Sequence, residues 1–98
     1  MTLEVIITPR ARSQIASAKA WWQQNRDKAP TALRDEIDRI LDLIAEQPHI
    51  GHRVYRTRRR GARKISLEQA RYDIYYEVRR DKLFVLSLWH ASRRPPRL

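Results

Sequence analysis

Seven cations fall within twelve residues just past the middle of the chain. They are Arg53, Arg56, Arg58, Arg59, Arg60, Arg63 and Lys64. Like charges at this density repel one another unless anions or acids neutralise them. Arginine dominates, and its planar five-donor guanidinium favours bidentate contact with phosphate or carboxylate. The cluster indicates binding of a phosphate backbone or an acidic protein surface, and the alternative is solubility with general counterion attraction.

A second group of candidate side chains lies near the end of the chain. The imidazole of His90 can act as a general acid or base, and Arg93 follows three residues later. Arg71 stands just ahead of a predicted strand, where it can contact a phosphate or pair with an acid. A single histidine is more often a structural hydrogen-bonding residue, so both interpretations of His90 stay open. Ser92 has no paired acid and no nucleophile-elbow context, which argues against serine-hydrolase chemistry.

The net charge comes entirely from the second half of the chain. Residues 1–47 hold seven Lys and Arg against seven acids, whereas residues 48–98 hold fourteen against four, which leaves the whole formal charge of +10 there. Such an imbalance indicates an anionic partner: nucleic acid, a nucleic-acid machine or an acidic protein. The length fits one domain over residues 1–98, with residues 90–98 as a basic tail.

Composition argues against several functional classes. The chain has no cysteine, which excludes a disulfide framework and a thiolate metal site. His49 and His52 are three apart, but Pro48 and Gly51 break the helix that would place them on one face, so we expect no metal and no cofactor. No apolar run approaches the roughly 20 residues that span a bilayer. We therefore expect a soluble, cytoplasmic protein with no membrane partner.

The first half of the sequence predicts a strand followed by a helical hairpin. Residues 3–7 are rich in β-branched side chains and predict a strand, which leads into Thr8 as N-cap and Pro9 as the first helical residue. Pro30 is expected to start a second helix, in which charged residues including Glu36 cover the face opposite the apolar stripe. Residues 47–51 end the hairpin, because proline removes a donor and Gly51 permits the turn.

The second half changes to the period of two that is typical of strands. Val54 and Tyr55 begin a short strand, residues 57–61 form a basic turn, and strands follow at 63–67, 72–78 and 83–89. The last is almost continuously apolar, as in a central strand covered on both faces. The predicted class is α+β: an N-terminal strand, an α-helical hairpin, then a three- to four-stranded antiparallel sheet. The tail is expected to leave the sheet as an extended or loosely ordered arm.

Aromatic residues add two finer expectations. Trp21 and Trp22 lie about 100° apart on a helix, so they cannot both face one core line. Trp22 falls on the apolar stripe, whereas Trp21 is either a shoulder of the core or part of a protein-binding surface. In the strand at 72–78, Tyr75 is expected on the face opposite Tyr76.

Five motifs occur in a fixed order along the chain. They are ITPRA at 7–11, QPHIG at 47–51, RKISL at 63–67, RYDIYYEV at 71–78 and VLSLWHASR at 85–93. In this order they resemble the ParE branch of the RelE/ParE superfamily of toxins from type II toxin-antitoxin modules. The resemblance covers most of the chain. It implies a small bacterial toxin that halts growth, and a cognate, ParD-like antitoxin that neutralises it in a hetero-oligomer.

Two mechanisms occur in that superfamily. ParE-like members inhibit DNA gyrase and trap it on cleaved DNA, whereas RelE-like members cut mRNA in the ribosomal A site. For the ribonuclease alternative the resemblance offers Arg71, His90 and Arg93 as catalytic residues. However, Ala91 stands where those relatives usually have tyrosine, and no well-placed glutamate follows the basic loop. Gyrase inhibition is the favoured expectation, and a non-toxic module that only binds its partner or DNA is a further alternative.

Charge and resemblance together suggest contact residues for the two partners. For the target, the candidates are Arg58, Arg59, Arg60, His90, Arg93 and Arg94. For the antitoxin, the candidates are Trp21, Arg53, Arg56 and Arg63. An acid-rich antitoxin segment would associate rapidly with a chain of net charge +10.

Overall fold

A computed structural model describes residues 2–25, 29, 31–55 and 57–98. Over these residues the chain forms β1 (Glu4–Ile7), α1 (Pro9–Asn25), α2 (Ala32–Glu46), β2 (His52–Arg53), β3 (Ala62–Ser66), β4 (Tyr72–Arg79) and β5 (Lys82–His90). The strands form one sheet in the order β1-β5-β4-β3-β2. Strands β2 to β5 are antiparallel, and β1 adds to β5 in parallel. The predicted α+β class is confirmed, and the N-terminal strand extends the antiparallel sheet at its edge.

Thr8 connects the first helix to the sheet. Its hydroxyl accepts a hydrogen bond from the Ala11 N–H at 3.3 Å, and it donates to the Val85 carbonyl at 2.8 Å. The first contact is an N-cap, and Pro9 is the first helical residue as predicted. The expected start of the second helix at Pro30 lies outside the described residues, and α2 begins at Ala32.

The larger core lies between the helices and one face of the sheet. It is formed by Ala11, Ile15, Ala18, Leu33, Ile37, Ile40 and Ile44 of the helices and by Ile74, Tyr76, Leu83, Val85 and Leu88 of the strands. Trp22 packs against this core, as its place on the apolar stripe predicted, whereas Trp21 is 50% exposed. Burial of each large aliphatic side chain stabilises the fold by about 1.5–3 kcal/mol.

The second face of the sheet carries a smaller core that the tail completes. Ala62, Tyr75 and Leu86 are buried there, with Val54, Phe84, Trp89 and Leu98 packed around them. Trp89 Nε1 donates to the Arg94 carbonyl at 2.6 Å, and Arg59 Nε donates to the Leu98 carbonyl at 3.1 Å. The expectation that the tail leaves the sheet is therefore wrong. The tail lies across the second face, where it covers apolar surface that would otherwise meet water.

Strand β5 contains a β-bulge at Leu86. Tyr76 pairs with Val85, but Tyr75 pairs with Ser87, so Leu86 is an extra residue with no partner on β4. Side chains beyond a bulge alternate in the opposite phase from those before it. As predicted, Tyr75 and Tyr76 lie on opposite faces, and each is buried in a different core.

The turn after α2 is fixed to the middle of the sheet by Tyr76. The Tyr76 hydroxyl donates to the Pro48 carbonyl at 2.8 Å and accepts from the Gly51 N–H at 3.0 Å. A Cβ built on Gly51 would lie 2.4 Å from the Tyr76 hydroxyl oxygen. No described glycine has a positive φ. The backbone conformation at Gly51 is therefore open to any residue type. Glycine is required there because the Tyr76 side chain lies so close.

We expect Gly51→Ala to destabilise the protein by about 1–3 kcal/mol, because the new methyl group overlaps the Tyr76 hydroxyl. Urea unfolding followed by circular dichroism measures the effect. Gly61→Ala is the matched control, since a Cβ there meets its nearest neighbour at 3.7 Å. Adding Tyr76→Phe to Gly51→Ala removes the oxygen, so the double variant should lose less stability than the two single losses together. Strictly additive losses would contradict this explanation.

Alkaline pH provides a second test of the buried tyrosines. Burial raises the pKa of Tyr76 above the ordinary 10.0, although the Gly51 hydrogen bond and the Arg63 charge oppose the shift. Burial and the Asp73 charge raise the pKa of Tyr75. The folded state then holds these protons more tightly than the unfolded state, so stability falls as pH rises above about 10.

We expect this fall to be shallower in Tyr76→Phe than in the unchanged protein. The measurement is the free energy of unfolding in urea at several pH values on either side of about pH 10. The two proteins differ only in the Tyr76 hydroxyl, so the difference between their profiles reports on that group. Parallel pH profiles for the two proteins would show that the folded state does not hold the Tyr76 proton more tightly.

Candidate functional site

A groove lies where the second half of α1 passes the paired ends of β4 and β5. Its two adjoining depressions have volumes of about 320 and 490 Å³ and share Trp21, Tyr72, His90 and Arg93 as lining residues. The remaining lining consists of Ser13, Gln14, Ser17, Ala18, Leu88 and Trp89 in the first and Trp22, Gln69, Ala70 and Arg71 in the second. These residues together are named the His90 groove.

Gln14 replaces a missing strand along one side of the groove. β1 pairs with residues 82–85 of β5, and none of the described strands lies beside the second half of β5 on that side. The Gln14 side-chain oxygen accepts from the Leu88 N–H at 3.0 Å and from the Ser87 hydroxyl at 2.9 Å. These hydrogen bonds satisfy polar groups of the strand edge. They also hold α1 against the part of β5 that carries His90.

His90 is oriented by two neighbours at the end of β5. Its ring lies edge-on to Tyr72, with centroids 5.3 Å apart and planes at 75°. Its Nδ1 accepts from the Ser92 N–H at 3.2 Å and lies 2.7 Å from the Ser92 hydroxyl oxygen. Because Nδ1 accepts this backbone proton, Nε2 carries the proton of the neutral ring. His90 therefore has both structural hydrogen bonds and a place in the groove.

Arg71 and Arg93 accompany His90 in the same depression. The Arg93 guanidinium lies 4.5 Å from the centroid of the Trp89 ring, a cation–π geometry. The Arg71 backbone carbonyl accepts from the Ala91 N–H at 2.9 Å. The Arg71 side chain is exposed at the rim of the groove. The three residues that the ribonuclease alternative names are thus brought together. Among the described residues that line the groove, none is Asp or Glu.

A buried carboxylate on α2 holds the loop that forms one wall of the groove. Glu36 is only 6% exposed and accepts from the Glu68 N–H at 2.6 Å and the Gln69 N–H at 3.1 Å. Arg39 lies 3.5 Å from the same carboxylate. The sequence placed Glu36 on the charged outer face of the helix, and this was wrong. The backbone donors of the β3–β4 loop attract the carboxylate inward.

The basic turn at 57–61 lies away from the groove. Ala62 pairs with Glu77, whereas Tyr72 pairs with His90, so the two sites are separated by about 16 Å along β4. Arg58 and Arg60 are exposed there. The target-contact candidates therefore divide into two groups, with Arg58, Arg59 and Arg60 at one end of the sheet and His90, Arg93 and Arg94 towards the other.

Two of the candidate arginines have structural partners. Arg59 Nη1 lies 3.6 Å from the buried Glu77 carboxylate, in addition to its hydrogen bond with the tail. Arg63 donates to the carbonyls of Gly51 at 2.8 Å and His49 at 3.3 Å. These side chains contribute to the fold, and any contact with target or antitoxin would come in addition.

The remaining antitoxin candidates differ in their surroundings. The Arg53 guanidinium lies 5.5 Å from the Tyr55 ring centroid and donates to the Arg60 carbonyl at 3.0 Å. Trp21 lines both depressions of the groove and is half exposed, so it is a surface residue rather than a shoulder of the core. Arg56 lies outside the described residues. Contact of these residues with an antitoxin stays a prediction.

Comparison with known proteins assigns the chain to a family. The family described as ParE toxin of type II toxin-antitoxin system, parDE, matches residues 5–95. The chain is a ParE toxin. Membership in a toxin-antitoxin family also gives the protein an antitoxin as partner. No curated protein sequence matches the chain.

Solved structures support the fold of this ParE toxin. The chromosomal ParDE TA system from P. aeruginosa aligns with a TM-score of 0.74 at 15% identity, covering 93% of this chain and 98% of that chain. The YoeB dimer from Staphylococcus aureus aligns with a TM-score of 0.58 at 15% identity, covering 91% of this chain and 97% of that chain. At such identities the likeness concerns the fold alone.

Sequence reasoning missed three cations of the ParE toxin that lie beside the basic turn. Arg79, Arg80 and Lys82 line a depression at the β4–β5 turn, at the same end of the sheet as residues 57–61. The signal was present, because two predicted strands joined by a short turn place that turn at a defined end of the sheet.

Among the described residues, no three His, Asp or Glu side chains are grouped to hold a metal ion. No helix in the described part of the chain is long and apolar enough to cross a membrane.

We expect Glu36→Gln to lower the free energy of unfolding of the ParE toxin by about 1–3 kcal/mol, because the amide keeps the shape and loses the charge that two backbone N–H groups contact. Hydrogen exchange should accelerate at the Glu68 and Gln69 amides. Asp38→Asn is the matched control, since Asp38 lies on the exposed face of the same helix. Equal effects of the two substitutions would contradict a specific role for Glu36.

Proposed function

We propose that this ParE toxin inhibits DNA gyrase and is neutralised by a cognate, ParD-like antitoxin with which it forms a hetero-oligomer. The observation that carries the proposal is the family match over residues 5–95. The similar fold in the chromosomal ParDE TA system from P. aeruginosa supports the antitoxin partner. The formal charge of +10 favours an acid-rich antitoxin segment.

The lining of the His90 groove supports a protein target over RNA cleavage. Cutting a ribose-phosphate chain requires a base for the 2′-hydroxyl, an acid for the leaving oxygen and cations for the developing charge. Among its described lining residues the groove has one histidine and no carboxylate. It instead combines the half-exposed Trp21 with Tyr72 and Arg93, and aromatic residues and arginine are the usual anchors of protein interfaces.

A specific observation also favours a second candidate function, ribosome-dependent mRNA cleavage. Arg71, His90 and Arg93 line one depression, as the ribonuclease alternative requires. In that function His90 would exchange protons with the ribose or the leaving oxygen, and the two guanidinium groups would contact the phosphate. Because the described lining residues offer one histidine and no carboxylate to share the base and acid steps, this is the weaker of the two proposals.

A supercoiling assay with purified gyrase and relaxed plasmid tests the first proposal. We expect the unchanged toxin to inhibit, and Arg93→Gln with Arg94→Gln to raise the half-inhibiting concentration about tenfold, because charged contacts at the groove end are lost. Arg12→Gln with Arg34→Gln removes two exposed cations from the helices and serves as the matched control. Adding the antitoxin should restore supercoiling.

The outcomes separate the candidates. Supercoiling that is unaffected by excess toxin would sink gyrase inhibition. In a translation extract, mRNA cleavage that disappears in His90→Gln would establish the ribonuclease function instead. Harmless expression without antitoxin would point to a module that only binds its partner or DNA.

A further inference from the structure

Two turns bring six cations to one end of the sheet. They are Arg58, Arg59 and Arg60 of the β2–β3 turn and Arg79, Arg80 and Lys82 at the β4–β5 turn. Ala62 pairs with Glu77 at the start of β3, and Arg79 pairs with Lys82 across the β4–β5 turn. The two turns are therefore neighbours in space, and these six residues are named the basic end.

A buried acid links the two turns of the basic end. Glu77 is 4% exposed, and its Oε1 lies 2.8 Å from Arg79 Nε and 3.6 Å from Arg59 Nη1. A buried carboxylate needs opposite charge nearby, and these two guanidinium groups supply it. The other nearby acid, Asp81, is exposed and lies 3.5 Å from Lys82. Six cations against two acids leave the basic end with a net charge of +4.

Three arginines of the basic end point to an external anion. Arg58, Arg60 and Arg80 are exposed, and none of their side chains has a partner among the described residues. Arg80 has a φ of 57°, and among the described non-glycine residues it alone has a positive φ. Glycine and asparagine adopt this conformation at lower cost. An arginine in such a position is a candidate for a binding role.

We infer that the basic end binds the phosphate backbone of duplex DNA. The width of the basic end across strands β3 to β5 is two strand spacings, about 10 Å. A duplex carries one phosphate charge per about 1.7 Å of its axis, so this width faces several phosphates. Guanidinium groups suit phosphate oxygens. An acidic protein surface is less well matched at the β4–β5 turn, because Phe84 is the one aromatic side chain among the described residues that line its depression, and protein interfaces concentrate aromatic anchors. The exposed Tyr55, near the other turn, lies against Arg53.

This inference extends the proposed function and rests on it for its biological setting, because gyrase acts on duplex DNA. The basic end lies about 16 Å from the His90 groove along β4. One end of the toxin can thus contact DNA while the groove contacts a protein. The contact is with backbone phosphates, so it carries no sequence preference.

Fluorescence anisotropy of a labelled 20-base-pair duplex tests the inference with the full chain alone. Binding should weaken with salt, with a log–log slope of about −0.9 per phosphate contact. Arg58→Gln with Arg80→Asn should make the slope shallower by about two units and weaken binding about 10- to 60-fold near 0.1 M salt. Asparagine tolerates the left-handed φ of Arg80, so the turn is retained. Circular dichroism checks the fold.

Arg12→Gln with Arg34→Gln is the control, since it removes the same charge from exposed positions on the helices. We expect the control to keep the slope of the unchanged protein. If both double variants lost the same amount of duplex affinity, the effect would be general counterion attraction, and the inference would be overturned. Absence of duplex binding at 50 mM salt would also overturn it.

Polyglutamate serves as the probe for an acidic protein partner. Polyglutamate binding that depends on Arg58 and Arg80, while duplex binding does not, would replace DNA by an acidic protein and contradict the inference. The supercoiling assay keeps the two proposals apart. Duplex binding without gyrase inhibition would support this inference and remove the proposed function, and gyrase inhibition without duplex binding would do the reverse.

Discussion

The hydroxyl of Tyr76 is the contact on which much of the arrangement depends. It sits in the larger core and joins the central strand β4 to the Pro48 carbonyl and the Gly51 amide. The chain passes from this turn directly into β2, so the same contact sets where β2 meets β3. Arg63 donates to the Gly51 carbonyl from β3 and closes the connection from the other side. The end of α2 and the edge strand β2 are thereby both positioned by one buried oxygen, that of the Tyr76 hydroxyl.

The two faces of the sheet are stabilised by different means. The helices cover one face with a conventional aliphatic core, whereas the other has a few apolar side chains, the tail and the buried Asp73 and Glu77. Arginines neutralise Glu77, and the Ser66 hydroxyl donates to Asp73 at 2.6 Å. Arg59 and Arg79, which belong to the arginine excess, therefore neutralise a buried acid of the fold. Among the arginines of residues 48–98 that remain exposed, Arg58, Arg60 and Arg80 lie at one end of the sheet, and Arg71 and Arg93 lie at the other.

The sequence predicted the fold well where local patterns dominate. The Thr8 cap, the Trp22 stripe and the alternation of Tyr75 and Tyr76 all follow from periodicity and turn chemistry, and the family followed from motif order. Long-range contacts were the weak point. Nothing local marks Glu36 as the acceptor of a distant loop, and a tail rich in proline and arginine has no period that predicts packing. Trp21, Arg71, His90 and Arg93 of the groove were named from the sequence, whereas Gln14 was not. That these residues meet depends on how far β5 extends past β1.

The extra residue in β5, Leu86, determines which face of the sheet each later side chain of that strand occupies. Before Leu86, odd-numbered side chains such as Val85 face the helices; after it, even-numbered ones such as Leu88 do. This change of phase is what presents His90 to α1 and turns Trp89 towards the tail. If the same residues paired without the bulge, Trp89 would stand opposite Tyr72 and His90 would turn away from α1. The recognition surface therefore depends on one irregularity of register, and it could change while every side chain of the motif was retained.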